Sequence, residues 1–313
     1  MSTQKASPIS AVRTFETTAE AYRAAAEAKR QATVSVCIPC RNEAATIGPI
    51  VALIVRALMG VGGIVDELLV FDDDSTDTTA SVATAAGARV IRVADVLPDL
   101  EQMSGKGNVL WKSVAASYGD IIVWCDGDLL SFTPDYVRDL VVPLLLDSSI
   151  AMVKGFYERL PDEAGEGGGR NTELVARPLL ALLFPELVAI RQPLGGEYSA
   201  RRSVLEQVSF ATGYGVEVGL LIDIAARVGV GAIAQVDLGI RRHRHRPLRE
   251  LSAQSAEILH AILTRSDLPI GRLSELTQFP PTGSADSAAM RAIPVRTAER
   301  PPLATVATYQ RPA

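Results

Sequence analysis

Two aspartates separated by one glycine, Asp126 and Asp128, follow directly after the apolar run 120–125. Such a run predicts a buried strand, and on a strand residues i and i+2 point to the same side. Two carboxylates could therefore face one crevice at the carboxyl end of the strand. Mg²⁺ prefers oxygen ligands and is typically held by one or two carboxylates plus the phosphates of a substrate. The motif favours a cation site on a phosphorylated ligand, and the alternative is a simple polar turn.

Two more polar motifs follow predicted strands or precede predicted helices in the first half of the chain. The run Asp72-Asp-Asp-Ser-Thr-Asp77 ends a predicted strand, where an aspartate can accept hydrogen bonds from a base or ribose. Ser75 or Thr76 in the same run suits a helix N-cap. In Gly105-Lys106-Gly107 the glycines allow the backbone to approach a ligand closely, and the lysine supplies a positive charge suited to a phosphate. The P-loop pattern is absent from the sequence, so a P-loop ATPase is excluded.

The second half carries three further candidate motifs. Residues 241–246 comprise four arginines and two histidines, and they follow a predicted strand in an acidic protein. This context favours a phosphate or metal–phosphate pocket, in which His243 could offer a neutral imidazole to a metal; a surface basic stripe is the alternative. Gly167-Gly-Gly-Arg170 suits anion binding by backbone N–H groups and a guanidinium, or else forms a hairpin tip. Glu217 is either a helix-start carboxylate or a ligand of a sugar hydroxyl.

Strands and helices alternate through the first 130 residues, which predicts a parallel, doubly wound α/β sheet. Ligands of such sheets bind in the crevice outside the carboxyl ends of the strands, where the polar motifs fall. An exposed helix is predicted over 14–31, and the residues before it suggest no regular element. The remaining predicted strands are 32–39, 67–71, 89–93, 150–157 and 233–240. The remaining predicted helices are 42–54, 78–86, 109–117, 174–183, a helix after 217, and 251–264.

Composition narrows the classes of protein. The 313 residues carry a net charge of −5, which argues against nucleic acid as the main partner. We find neither the apolar core of a signal peptide nor a credible membrane-spanning segment, so a cytoplasmic protein without a membrane partner is expected. Three cysteines give no disulfide framework. Cys37-Ile-Pro-Cys40 is similar to a thioredoxin-type redox motif, and this alternative would leave the acidic motifs unexplained.

Together these motifs resemble the actinobacterial glucosyl-3-phosphoglycerate synthase family, which has the GT-A glycosyltransferase fold. The resemblance spans about residues 33–280 and implies a Rossmann-like, mostly parallel sheet flanked by helices, with a helical C-terminal extension. It implies an N-terminal helical extension over 1–32, a catalytic domain over 33–248, and a C-terminal helix and tail over 249–313. The stretches that carry it are 38–46, 72–77, 104–107, 119–129, 167–180, 192–198, 213–223 and 234–248.

The resemblance also implies roles for individual residues. Asp128 and His243 would hold the divalent metal, and Glu217 would contact the donor glucose; Asp126, Asp128 and Glu217 are the implied catalytic residues. The acceptor, 3-phosphoglycerate, would be bound by Gly169, Arg170, Thr172 and His245. The uridine diphosphate site would be lined by Pro39, Cys40, Arg41, Glu43, Asp73, Lys106, Asp126, Gly127 and Asp128. The chain departs from the family pattern at three positions. Asp73 stands where the family has a small hydroxyl residue, Gly127 where it has a serine, and His245 where it has an asparagine.

The implied activity is transfer of glucose from UDP-glucose to the 2-hydroxyl of 3-phosphoglycerate, with retention and with Mg²⁺ or Mn²⁺. A homodimer is implied as well. Two alternatives stay open: a mannosyl-3-phosphoglycerate synthase that uses GDP-mannose, and a non-catalytic nucleotide-sugar-binding protein.

Overall fold

The structure is a computed structural model that describes residues 12–29, 32–159, 169–241, 248–279 and 291–312. An eight-stranded sheet has the strand order β1-β9-β6-β7-β5-β2-β3-β4. Only β7 runs antiparallel to its neighbours, β5 and β6. The strands of this sheet are β1 (Arg13–Phe15), β2 (Val34–Cys40), β3 (Glu67–Asp72), β4 (Arg89–Arg92), β5 (Ile121–Trp124), β6 (Met152–Arg159), β7 (Tyr198–Arg201) and β9 (Ile233–Arg241).

Helices cover both faces of the sheet, as predicted for an α/β fold. The central strands β2 and β5 are buried throughout most of their length, which explains their nearly continuous apolar sequences. One core contains Val36, Val70 and Val123, and the opposite core contains Cys37 and Trp124. The helices are α1 (Ala19–Ala28), α2 (Ile47–Leu58), α3 (Thr79–Ala86), α4 (Lys106–Ala116), α5 (Asp135–Leu146), α6 (Arg177–Leu183), α7 (Arg202–Leu205), α8 (Val216–Val228) and α9 (Leu248–Leu263).

The carboxyl ends of β2, β3 and β5 meet at one edge of the sheet. These strands are parallel neighbours, with Cys40 opposite Asp72 and Cys37 opposite Trp124. Hydrogen bonds join the segments at this edge: the Asp73 N–H donates to the Cys40 carbonyl at 2.9 Å, and the Thr46 hydroxyl donates to the Gly127 carbonyl at 2.6 Å. The polar motifs predicted to share this edge therefore do lie together.

Several elements differ from the sequence-based predictions. Helix α2 begins at Ile47 and not at residue 42, and helix α5 (Asp135–Leu146) was not predicted. The predicted helix over 14–31 was wrong at its start, because residues 13–15 pair in parallel with β9 and the helix begins only at Ala19. The Thr18 hydroxyl caps this helix by accepting from the Ala21 N–H at 3.1 Å. Strand β7 was not predicted, since it has four residues and follows a Gly-Gly pair.

The C-terminal segment packs back onto the body of the protein. Its strand β12 (Glu299–Arg300) pairs with β8 (Phe210–Ala211), and the Trp111 indole donates to the Pro301 carbonyl at 2.8 Å. A second small sheet joins β10 (Glu275–Gln278) to β11 (Arg291–Pro294). Within the described ranges, no helix is both long and apolar enough to cross a membrane. The division into 1–32, 33–248 and 249–313 stays a prediction.

Candidate active site

A cleft of about 480 Å³ opens at the carboxyl edge of the sheet. Its walls come from the ends of β2, β3 and β5, the starts of α4 and α8, the segment 169–172, and α9. His243 and His245 were also predicted to belong to the site and lie outside the described residues. The other predicted site residues all line the cleft: Pro39, Cys40, Arg41, Glu43, Asp73, Lys106, Asp126, Gly127, Asp128, Gly169, Arg170, Thr172 and Glu217.

Lys106 lies between two carboxylates on the floor of the cleft. Its ammonium is 2.8 Å from Asp126 Oδ1 and 2.7 Å from Glu217 Oε1. Burial disfavours the charged lysine, but the two carboxylates outweigh this effect and hold the pKa of Lys106 well above its usual range. The lysine begins α4 after Gly105, whose φ of +115° suits glycine. The local turn therefore fixes a permanently charged lysine at the cleft.

Asp126 has both of its oxygens engaged by cations. Lys106 binds Oδ1, and the Arg241 Nη2 atom lies 2.9 Å from Oδ2. Burial raises the pKa of Asp126, but these two cations outweigh it, so the net pKa lies well below the usual value. Asp128 is more exposed, at 32%, and lies 3.8 Å from Arg241. The two aspartates are thus not equivalent: Asp126 organises cations, whereas Asp128 faces the cleft.

Arg241 and Glu197 complete this buried network. The sequence indicated Arg241 only as part of the basic run 241–246, and it assigned no role to Glu197. Arg241 is the last residue of β9, and its Nη1 atom donates to Glu197 Oε2 at 2.9 Å and to the Tyr157 hydroxyl at 2.6 Å. Glu197 is fully buried beside β7. The basic run at 241–246 signalled an anion site, but the partner of its first arginine lies 44 residues away in sequence.

The C-terminal segment supplies a further unpredicted residue, Arg296, to the cleft wall. The buried carboxylate of Glu257 accepts from the Arg296 backbone N–H at 3.2 Å and from the Tyr214 N–H at 2.7 Å. Across the cleft, burial raises the pKa of Asp73, and the guanidiniums of Arg41 and Arg296 partly oppose this rise. This end of the cleft therefore brings together one carboxylate and two guanidiniums, which suits the donors and acceptors of a nucleoside.

The segment with the predicted acceptor residues enters a helix through an unusual turn. Gly169 has a φ of +95°, and residues Thr172–Ala176 form a π-helical turn before α6. Such turns often mark functional sites. The Asn171 side chain accepts from the Ser255 hydroxyl of α9 at 2.8 Å, which ties the segment to the far wall of the cleft.

The side chains fit a Mg²⁺ or Mn²⁺ ion bound partly by a ligand. In the described part of the chain, no group of three or more His, Cys, Asp or Glu side chains is arranged to hold a metal. A hard cation held by substrate phosphates needs only one or two protein carboxylates. Asp128 offers such an oxygen at the cleft, and His243 follows Arg241 by two positions.

The redox alternative does not fit the cysteines. Cys37 and Cys40 lie in the cores on opposite faces of the sheet, and both are buried and free. Burial raises the pKa of the Cys37 thiol to about 12, whereas redox catalysis requires an accessible thiolate. We conclude that neither cysteine is a redox-active thiol.

Lys154 is a buried cation beneath the network and gives a first prediction. Burial lowers its pKa to about 8, with Glu217 and Glu197 partly opposing the shift. The unfolded chain then binds more protons than the folded protein between pH 8 and 10.5, so the lysine makes stability rise with pH in that window. Across that window the free energy of unfolding of the wild type should rise by about 3 kcal/mol, at about 1.4 kcal/mol for each pKa unit. We expect Lys154→Met to lack this rise.

Urea unfolding at pH 7 and at pH 10 measures this effect as the difference between wild type and variant. Lys29→Met is the matched control, because Lys29 pairs with Asp66 far from the cleft. Equal pH dependence in wild type and Lys154→Met would contradict the assignment.

Comparison with known proteins agrees with this geometry. Residues 35–176 match the Glycosyl transferase family 2 profile. The fold, the cleft and this match define a GT-A glycosyltransferase.

More specific relatives are also found. A glucosyl-3-phosphoglycerate synthase of Mycolicibacterium smegmatis is 48% identical over 89% of this chain and 91% of that protein. The synthase of Petrotoga mobilis is 41% identical over 90% and 89%. The crystal structure of the Mycobacterium tuberculosis synthase with Mn²⁺, UDP-glucose and phosphoglyceric acid superimposes with a TM-score of 0.84 at 44% identity, covering 94% of this chain and 98% of that one. The chain belongs to the glucosyl-3-phosphoglycerate synthase family.

Proposed function

We propose that this protein transfers glucose from UDP-glucose to the 2-hydroxyl of 3-phosphoglycerate with retention of configuration, with Mn²⁺ or Mg²⁺ as cofactor. One observation carries the proposal: a single cleft joins the Lys106–Asp126–Asp128 group to the segment 169–172. The first group suits a metal-bound diphosphate, and the second suits an anionic acceptor. The related M. tuberculosis synthase has been crystallised with UDP-glucose, phosphoglyceric acid and Mn²⁺ together, or with UDP and Mg²⁺.

The positive charges of the cleft would stabilise the departing diphosphate. Negative charge accumulates on this group as the anomeric C–O bond breaks, and preorganised cations lower the energy of such a transition state. Lys106 and Arg241 are held in place by buried carboxylates, so they need little rearrangement. A divalent ion bound by Asp128 and His243 would add further positive charge at the diphosphate.

The carboxylates beside the reacting end favour a route without a covalent intermediate. Glu217 and Asp126 could in principle attack the sugar, but Lys106 pairs with both, and Arg241 also holds Asp126. Ion pairing of this kind weakens a nucleophile. We therefore propose substitution on the front face of the sugar, in which the leaving phosphate helps to deprotonate the acceptor hydroxyl. Trapping of a covalent glycosyl-enzyme would contradict this route.

Acceptor recognition is assigned to Arg170, with Gly169 and Thr172 beside it. A guanidinium binds a phosphate or carboxylate through two charge-assisted hydrogen bonds, each stronger than a neutral one. Holding the acceptor hydroxyl against the anomeric carbon would make a bimolecular step effectively intramolecular.

Replacing Arg170 with alanine is expected to raise the KM for 3-phosphoglycerate roughly 10- to 100-fold, since hydrogen bonds to charged groups contribute about 1.5–3 kcal/mol. The KM for UDP-glucose should change little. Steady-state kinetics with each substrate varied in turn will check this. The control is Arg177→Ala, which removes a partly exposed arginine at the start of α6 that pairs with Glu173. An unchanged acceptor KM in Arg170→Ala would remove the acceptor assignment.

Donor choice is tested by competition. Purified protein with Mn²⁺ and 3-phosphoglycerate would receive UDP-glucose, GDP-glucose and GDP-mannose at equal concentrations, and the released nucleotide would be separated by chromatography. The proposal predicts that UDP is the main product. Release of GDP would identify a guanosine donor, and nucleotide binding without release would indicate a non-catalytic binding protein.

We also propose a homodimer in the cytoplasm, which rests on the family resemblance. Size-exclusion chromatography with light scattering should give a mass of about twice the chain's 33.3 kDa. A monomer at micromolar concentration would contradict the dimer.

A further inference from the structure

Asp73 presents a partly buried carboxylate to the cleft directly after β3. Its backbone N–H is held by the Cys40 carbonyl at 2.9 Å, which fixes where the side chain starts. Within the described ranges, the Asp73 side chain makes no hydrogen bond and no ion pair. Burial raises its pKa, because the ionised form has lost part of its hydration. A ligand that donates a hydrogen bond to this carboxylate would replace that lost hydration.

Arg296 reaches the same end of the cleft from the C-terminal segment. Its backbone N–H donates to the buried Glu257 carboxylate at 3.2 Å, which anchors the residue. Its side chain crosses Gly105, where a Cβ atom would lie 2.9 Å from Arg296 Cδ, so the glycine leaves room for the arginine. The Arg296 side chain is 46% exposed, and its charge partly opposes the rise in the pKa of Asp73. The C-terminal segment therefore brings a guanidinium to the surroundings of Asp73.

Arg41 supplies a second guanidinium from the loop after β2. It is exposed and lines the cleft, and in the part of the chain that the structure describes it makes no ion pair and no side-chain hydrogen bond. Its charge lowers the pKa of Asp73 more than that of Arg296 does. Three segments that are distant in sequence thus bring one carboxylate and two guanidiniums to one end of the cleft.

This set of groups complements the edge of a uracil base. Uracil carries its ring N–H, at N3, between two carbonyl oxygens. An ionised carboxylate only accepts hydrogen bonds and a guanidinium only donates them, so Asp73 suits the N–H, and Arg41 and Arg296 suit the carbonyls. Cytosine has a lone pair at N3, which would face the carboxylate, and an amino group in place of one carbonyl. The groups therefore combine attraction to uracil with repulsion of cytosine.

We propose that Asp73 and Arg296, together with Arg41, select the uracil base of the donor nucleotide. Asp73 accepts from the N3–H, and the two guanidiniums donate to the carbonyl oxygens. This inference rests on the proposed function and makes the C-terminal segment part of the donor site. The family pattern has a small hydroxyl residue in place of Asp73. A hydroxyl both donates and accepts, whereas a carboxylate only accepts, so the aspartate gives this chain a stricter choice of base.

The test compares UDP with CDP by isothermal titration calorimetry of the full chain with Mn²⁺. These two nucleotides differ only at the edge of the base, whereas guanine shares with uracil a ring N–H beside a carbonyl. We expect UDP to bind the wild type about 10- to 100-fold more tightly than CDP, as hydrogen bonds to a charged group predict. In Asp73→Asn the amide can turn either its oxygen or its N–H₂ group to the base, so this preference should fall below about threefold.

Arg296→Ala tests the contribution of the C-terminal segment. We expect it to weaken UDP binding and to raise the KM for UDP-glucose about tenfold, with the KM for 3-phosphoglycerate unchanged. The matched controls are Asp74→Asn, at the exposed neighbour of Asp73, and Arg311→Ala, which removes an arginine of the same segment that pairs with Asp120. Both controls should keep the wild-type affinity for UDP and the wild-type preference over CDP.

Equal binding of UDP and CDP by the wild type would overturn the inference, and this comparison carries the test if a variant does not fold. An Asp73→Asn protein that keeps the wild-type preference would overturn it too, as would unchanged UDP affinity in Arg296→Ala. Turnover separates this failure from that of the proposed function: a wild type that transfers glucose from UDP-glucose supports the function whatever its preference between UDP and CDP. A wild type that binds neither nucleotide removes both.

Discussion

Asp128→Ala is expected to lower kcat/KM for glucosyl transfer by at least about 10²–10³-fold, because the cation at the diphosphate supplies several kcal/mol of charge stabilisation. Stability should change little, since Asp128 is partly exposed and lies 3.8 Å from Arg241. Steady-state kinetics across a Mn²⁺ titration measures the first effect, and urea unfolding measures the second.

The neighbouring aspartate provides a contrast that tests the division of roles. Asp126→Asn removes the charge that pairs with both Lys106 and Arg241, so we expect a clear loss of stability as well as of activity. Asp99→Ala, at an exposed aspartate away from the cleft, should affect neither property. If Asp128→Ala retained Mn²⁺-dependent transfer, or if both aspartate variants lost stability equally, the division would be wrong.

Lys106→Ala is expected to have the second large effect, on stability and transfer together. Removing this lysine leaves two carboxylates, Asp126 and Glu217, without the ammonium that both contact at less than 3 Å. Breaking a buried ion pair by deleting one partner costs about 3–5 kcal/mol, and we expect a loss near the lower figure because the lysine is 19% exposed. Turnover should fall about 10²-fold as one preorganised cation is lost.

The stability effect is measured by urea unfolding at pH 7, and the activity effect by kcat with saturating UDP-glucose. Lys29→Ala removes a lysine that pairs with a single carboxylate, Asp66, and should leave turnover unchanged. Lys106→Arg restores a positive charge and should recover part of the stability. A Lys106→Ala protein as stable and as active as wild type would show that the network does not support the site.

Much of the site could be predicted from sequence because its residues follow directly after strands. Buried parallel strands are recognisable as apolar runs, and their carboxyl ends must meet at one edge. Asp73 and Asp126 can therefore be assigned to the same crevice from the sequence. Lys106 joins them as the charged residue of a Gly-Lys-Gly turn before a predicted helix. The glycine-rich run already indicated Arg170 as an anion ligand. The resemblance to a family added Thr172 and the role of both residues in binding the acceptor.

The unpredicted residues depend on contacts between distant parts of the chain. Glu197 follows two glycines and precedes a four-residue strand, and nothing local shows that it meets Arg241. Arg296 belongs to a segment whose composition suggested a tail, yet pairing of β12 with β8 brings that segment against the cleft. Long-range pairing of this kind leaves no periodic signal in either partner.

The most direct test of the proposed activity is mass spectrometry of the products made from UDP-glucose and 3-phosphoglycerate by the purified protein with Mn²⁺. We predict a hexosyl-phosphoglycerate formed in equal amount to the released UDP, and its absence with Asp128→Ala. Release of UDP with free glucose as the only sugar product, or no turnover despite bound UDP, would contradict the assignment of 3-phosphoglycerate as the acceptor.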